Sequence, residues 1–213
     1  TDHMLEVDWT RASGWGAPRI TPFHSFSMHP AASVLHYALE CFEGLKAYKD
    51  ASGTIRLFRP DCNMERLNNS MKALSMPSFD GDAFIECMKE LLRVDSAWIP
   101  EGDGYSVYIR PTAISTHPFL GVLPSDEVKL YVILSPSGAY FPQGFKPVRL
   151  LADTKNVRAW PGGAGASKLG SNYAPSIAPA EAAAARGCNQ ILWLFGEDHQ
   201  VTEVGSMNIF FVL

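Results

Sequence analysis

Residues 158–176 read RAWPGGAGASKLGSNYAPS. Between Arg158 and Glu181 the one charged side chain is Lys168, which follows Trp160 and the Gly-rich run and lies five residues before Tyr173. A phosphate-binding loop of the form G-x-x-x-x-G-K-[ST] does not fit here. With Gly162 as its first glycine, Ser167 stands where the second glycine belongs and Leu169 where the magnesium-binding hydroxyl belongs. Spacing alone leaves two chemistries open. One is a solvated lysine on a surface loop. The other is a lysine that attacks an aldehyde to form a Schiff base. Such a lysine must be neutral, a state favoured by apolar surroundings and by distance from carboxylates. The nearest acids along the chain are Asp153, fifteen residues upstream, and Glu181, thirteen downstream. Small residues on either side also let backbone approach a flat ring closely.

Working outward, VRLLADT (148–154) has the composition of a strand leading into this loop, and APAEAAAARG (178–187) reads as a short helix after it. Pro179 suits the first helical turn and Gly187 the C-cap. QILWLF and VTEVGSMNIFFVL, joined by GEDHQ, form an expected hairpin whose second arm continues as a buried strand to the last residue. Upstream, TIRLFR (54–59), YSVYIRP (105–111) and VKLYVILSP (128–136) read as strands. Met64, Leu67, Met71 and Leu74 recur at helical spacing and predict a helix over 63–75. Phe84, Ile85, Met88, Leu91 and Leu92 predict a second, with Asp80 or Asp82 near its start. SGAYFPQGFKP (137–147) carries turn residues and reads as a linker. Helices and strands mix without strict β-α-β alternation, which argues for an α+β fold, or for two α/β pieces, rather than a doubly wound sheet.

A Schiff-base cofactor such as pyridoxal phosphate acts as an electron sink when its ring nitrogen stays protonated, so a carboxylate must face that nitrogen. Glu197 and Asp198 lie in the expected turn and read as solvated. Glu203 lies inside VTEVGSMN, beside a Gly-Ser pair. It is either an edge-strand residue facing water or a carboxylate that needs a partner.

The remaining composition narrows the classes. The chain has 213 residues, 46% of them hydrophobic, enough for a sizeable core. Its formal net charge is −4 and its 18 Lys and Arg are scattered, so no nucleic-acid footprint is visible. No apolar run reaches membrane-spanning length. Cys41, Cys62, Cys87 and Cys188 match no zinc or redox spacing, and the histidines show no H-x-x-x-H pair, so no metal is expected. A reducing intracellular setting is expected, cytoplasmic or mitochondrial matrix. The chain opens without Met and stops at NIFFVL, so it reads as a piece of a longer one.

KLGSNYAPS (168–176), CNQILWLFGEDHQVTEVGSMN (188–208), LHYALECFEGLKAY (35–48), FRPDCNMERL (58–67), YIRP (108–111) and SPSGAYF (135–141) together resemble the branched-chain amino acid aminotransferases. These are fold-type IV enzymes that use pyridoxal 5′-phosphate. The resemblance runs in order along the whole chain. It implies a small N-terminal α/β domain (1–136), an interdomain linker (137–147) and the start of a larger cofactor-binding domain (148–213). It implies transfer of amino groups from leucine, isoleucine and valine to 2-oxoglutarate, giving branched 2-oxo acids and glutamate. Related alternatives are a D-amino acid aminotransferase, an aminodeoxychorismate lyase, or an inactive truncated relative acting as a binding partner.

By this likeness Lys168 carries the cofactor and moves the α-proton, Glu203 pairs with the ring nitrogen and Tyr173 bonds the phenolic oxygen. Arg66 reaches the 5′-phosphate, although its helical position is well off the apolar face. Tyr108 and Arg110, two apart on a strand, share one side and belong to the substrate pocket, with Arg110 available to glutamate's side-chain carboxylate. Tyr37, Phe42 and Tyr140 complete an aromatic wall, and Ser206 and Met207 offer backbone amides to the α-carboxylate. Val122 enters a neighbouring subunit's site, implying a homodimer. The departures from the family pattern are Ser171 in place of a second glycine, Ser206 in place of threonine, and the helix with Pro179 and its alanine run.

Overall fold

Residues 1–138 and 146–213 are described by a computed structural model, in which the chain divides into two units, Thr1–Pro142 and Gln143–Leu213. The first strand, β1 (His3–Thr10), has no signal in alternating apolar residues: Met4, Leu5, Glu6 and Val7 are buried consecutively. A strand covered on both faces has that pattern, and periodicity does not reveal it. Short elements follow: β2 (Gly14–Trp15), β3 (Arg19–Pro22), α1 (Ser33–Tyr37), β4 (Glu40–Phe42), β5 (Leu45–Lys49) and β6 (Ile55–Leu57). Of these only β6 coincides with an expected strand. The others are too short to display a period.

The first expected helix begins earlier than its apolar stripe, as α2 (Pro60–Ala73). Pro60 occupies the first turn, where its missing N–H is harmless. Met64, Leu67 and Met71 are buried, while Leu74 lies just past the end. In α3 (Gly81–Val94) the Asp80 carboxylate accepts from Ala83 N at 3.0 Å, and all five expected apolar residues are buried. β7 (Ser106–Ser115) and β8 (Glu127–Ser137) form the long central hairpin. The sheet runs β2-β1-β8-β7-β5-β6, with β3 on β1 and β4 on β7, and every pairing in it is antiparallel. The two helices pack together, with α3 also against β1 and α2 against β4.

The second unit is a parallel pair with an antiparallel addition. β9 (Leu150–Asp153) runs parallel to β10 (Gln190–Phe195), and α4 (Ile177–Ala185) lies in the connection between them. The helix ends in a Schellman arrangement: Cys188 N bonds Ala183 O at 3.0 Å and Gly187 N bonds Ala184 O at 2.9 Å, with Gly187 at φ +71°. β11 (Gln200–Val204) pairs with β10. The expected strand through NIFFVL is not found. After Val204 the chain turns, residues 208–213 form no strand, and Phe210 and Phe211 are exposed. Apolar composition does not make a strand without a neighbour to accept its ladder.

Candidate active site

In the second unit the loop after β9 is fixed by its own backbone. Ser167 N bonds Ala164 O at 3.0 Å, and Asn172 Nδ2 bonds both Ala164 O and Ser167 O, at 2.9 and 2.8 Å. A Cβ at Gly163 would stand 2.7 Å from the Trp160 ring and one at Gly165 2.6 Å from Ala159 Cβ, so these glycines are demanded by the loop's own packing. Leu169 is buried directly after Lys168 and anchors the backbone there. Lys168 is half-buried, and its Nζ donates to Tyr173 Oη at 2.9 Å. Arg158 stacks its guanidinium 5.0 Å from the centre of the same ring. Asp153, the acid nearest upstream, is engaged locally. Burial pushes its carboxyl up, but bonds from Asn156 and Lys155 outweigh that and hold it below its ordinary value.

A cavity of about 280 Å³ beside this loop is lined by Arg158, Trp160, Asn172, Pro175, Ser176 and Trp193, among others. The buried Nη1 of Arg158 has no hydrogen-bond partner among the described residues. Glu203 is half-buried on β11, opposite Trp193 in the ladder, so both side chains leave the same face of the sheet. In the following turn Met207 N bonds Val204 O at 3.0 Å, so in this conformation that amide donates inward and Ser206 alone stands exposed at the turn.

In the first unit Arg66 leaves α2 with its side chain 51% exposed, yet its guanidinium grips Glu43, which is fully buried. Nη2 bonds Glu43 Oε2 at 2.8 Å while Nε bonds Oε1. Next to it, a Cβ on Gly44 would lie 2.0 Å from Tyr108 Oη. Tyr108 Oη in turn accepts from Arg110 Nη2 at 2.8 Å, and the Arg110 guanidinium lies 4.5 Å from the Phe42 ring centre. Arg66, Glu43, Gly44, Tyr108, Arg110 and Phe42 are therefore one contiguous group. Arg110 Nε is buried without a hydrogen-bond partner among the described residues. Tyr37 is part of a different group: its hydroxyl donates to Leu120 O, beside the exposed Val122. Tyr140 lies outside the described residues. Cys41, under this site, has its thiol pushed up to about 12 by burial and by Glu40 and Glu43.

Glu43, Gly44, Asn63, whose Nδ2 donates to Glu43 Oε2 at 2.7 Å, and Arg158 are absent from the residues that sequence spacing singles out. Glu43 alone carries a signal, an acid between two apolar strand segments that must find a partner. Among the described residues no group of three or more His, Cys, Asp or Glu could hold a metal ion, and no helix is long and apolar enough to cross a membrane.

A long antiparallel sheet with two helices is thus followed along the chain by a β-α-β-β unit carrying a lysine–tyrosine loop. Residues 40–213 match the amino-transferase class IV family, and the chain belongs to that family. It is 58% identical to the branched-chain-amino-acid aminotransferase of Dictyostelium discoideum, over 99% of this chain and 55% of that protein. It is 53% identical to the mitochondrial form of Mus musculus, over 99% and 54%. The fold matches a solved branched-chain amino acid aminotransferase of T.th. with pyridoxamine 5′-phosphate. The TM-score is 0.74 and the identity 28%, over 93% of this chain and 62% of that one. This chain thus has the fold-type IV α+β architecture. It spans about half the length of the curated relatives it matches.

Proposed function

We propose that the chain carries part of the site of a pyridoxal 5′-phosphate-dependent enzyme that moves amino groups between leucine, isoleucine or valine and 2-oxoglutarate. The observation that carries this is the 2.9 Å contact between Lys168 Nζ and Tyr173 Oη on a loop otherwise free of carboxylates. The donor set fits such a cofactor: a half-exposed arginine for a phosphate, a lysine beside a phenol, and a carboxylate on the adjacent hairpin. When bound, the cofactor supplies an aldehyde and a ring that stabilises negative charge at the substrate α-carbon.

Lys168 would hold the cofactor through its Nζ and would hold and move the proton at the substrate α-carbon. Tyr173 holds Nζ in place and bonds the cofactor's phenolic oxygen. Glu203 would pair with the ring nitrogen, and Arg66 would take the phosphate through a planar fork suited to it. Phe42 and Tyr108 would wall the pocket for a branched side chain, a wall to which the family resemblance alone assigns Tyr37, which sits in a separate group, and Tyr140. Arg110 would meet the second carboxylate of glutamate, and its buried Nε, without a hydrogen-bond partner among the described residues, supports an anionic ligand nearby. Ser206 offers its amide to the α-carboxylate, joined by Met207 if the turn opens.

The same reading makes 1–136 the small domain, 137–147 the linker and 148–213 the start of the cofactor-binding domain. Exposed Leu35, Phe119, Leu120, Val122 and Leu123 supply a homodimer face that carries Val122 to a neighbouring site. Relatives in mouse include mitochondrial and cytosolic forms, which supports either compartment. The test is borohydride reduction of the cofactor-loaded protein followed by peptide mapping, with turnover assays beside it. Label on Lys168 and turnover of leucine, isoleucine and valine are expected. Label on another lysine, or preferred turnover of D-alanine, overturns the reading.

A further inference from the structure

Glu43 sits between β4 and β5, and its own N–H bonds Pro111 O at 2.8 Å, which roots it against β7. Its carboxylate is fully buried and receives four donors. Two come from Arg66, one from Asn63 Nδ2 at 2.7 Å and one from Gly44 N at 3.2 Å. Asn63 and Arg66 are three apart on α2 and therefore share a face of that helix. The pair is asymmetric, because the carboxylate is wholly enclosed while half of the Arg66 side chain stays open to solvent. An ion pair that only filled the interior would enclose both partners. Here the buried member is a fixed base and the exposed member is a cation held in one orientation.

We infer that Glu43 is the positioning residue for Arg66, holding its guanidinium ready for the phosphate of the cofactor. The inference rests on the assignment of Arg66 to that phosphate. Two effects of Glu43 oppose each other. Its negative charge offsets part of the arginine's, which weakens attraction for an anion. Its two-point grip removes rotamers that a long side chain would otherwise lose on binding. Solvent on the open side of Arg66 screens the first effect and leaves the second intact, so orientation decides the sign. A glutamine at this site would turn an amide N–H₂ towards donors already facing it, and the grip would fail.

The test compares the binding of pyridoxal 5′-phosphate with that of pyridoxal, which lacks the phosphate, by absorbance titration of cofactor-free protein. In Glu43→Gln the phosphorylated ligand is expected to bind about tenfold more weakly, with pyridoxal unchanged. Arg66→Met should show the same selective loss, and the double variant no further loss. If Glu43→Gln does not fold, Glu43→Asp keeps the charge and withdraws it by one methylene, and a selective loss of a few-fold is expected. Thermal unfolding of each cofactor-free variant reports on folding. Equal losses for both ligands, or losses that add to those of Arg66→Met, overturn the inference. Selective loss in Arg66→Met with none in Glu43→Gln or Glu43→Asp also removes it and leaves the assignment of Arg66 standing. No selective loss in Arg66→Met removes both.

Discussion

Lys168 was visible in the sequence because isolation is itself a sequence property: a lone cation in a small-residue loop shows without coordinates, with a solvated lysine the open alternative and Tyr173 added only by the family resemblance. Arg66 was not. Its partner Glu43 lies 23 positions upstream, beyond any helical spacing, so counting along α2 returns a solvated arginine. Arg158 fails for the same reason, since its stacking on Tyr173 is a contact across a loop. The geometry at the lysine yields a direct expectation. Tyr173→Phe removes the oxygen that accepts from Nζ while keeping the ring that Arg158 covers. Under the proposed chemistry the turnover of leucine should drop about 10- to 100-fold with the fold unchanged, the loss of one hydrogen bond to a charged group. Steady-state kinetics beside circular dichroism checks this, and wild-type turnover would deny Tyr173 its role.

Among the elements, what the sequence displayed depended on length and on how many faces are covered. α2, α3, β7 and β8 are long enough for an apolar stripe or run to show, and α4 announced itself through Pro179 and Gly187. β1 was hidden by burial on both faces, and its buried Glu6 explains how an acid can stand inside such a run. Thr21 Oγ1, His24 Nε2 and Lys129 Nζ bond its carboxylate at 3.0, 2.8 and 3.0 Å. Burial pushes this carboxyl up, but those bonds outweigh it and hold the group down, from an ordinary 4.5 to about 2. A depressed folded-state value contributes stability that is present above the unfolded value and lost as pH falls towards the folded one. The contribution is on the order of 3 kcal/mol, lost as pH falls from about 4.5 towards about 2. Glu6→Gln should therefore be less stable near neutrality yet lose less through that acid window. Urea unfolding at stepped pH measures it, and parallel curves for the two proteins would contradict the assignment.

Across the molecule, the two units differ in how much apolar side chain they enclose. In the first, Met64, Leu67, Met71, Met88 and Leu91, each at most 1% exposed, lie on the helices, with Val107, Ile109 and Leu130 on the sheet. In the second, a small cluster of Ala183, Ile191 and Trp193 has Leu151 and Cys188 beside it, Leu169 and Val204 are also buried, and α4 is mostly alanine. Alanine helices are intrinsically favourable but bury little area, and burial at roughly 25 cal/mol per Å² is what sustains a unit against chain entropy. The cofactor-free chain should then open in steps, with amides of β10 and β11 exchanging at least about 100-fold faster than those of β7 and β8. Pyridoxal 5′-phosphate attaches through Lys168 in the proposed reading, so adding it should slow exchange in β10 and β11 by linkage, and by more than in β7. Hydrogen exchange read by mass spectrometry separates the outcomes. Equal protection in both units would mean that the small core is reinforced by contacts beyond its own side chains, and a cofactor effect confined to β7 and β8 would move the anchoring site out of the lysine loop.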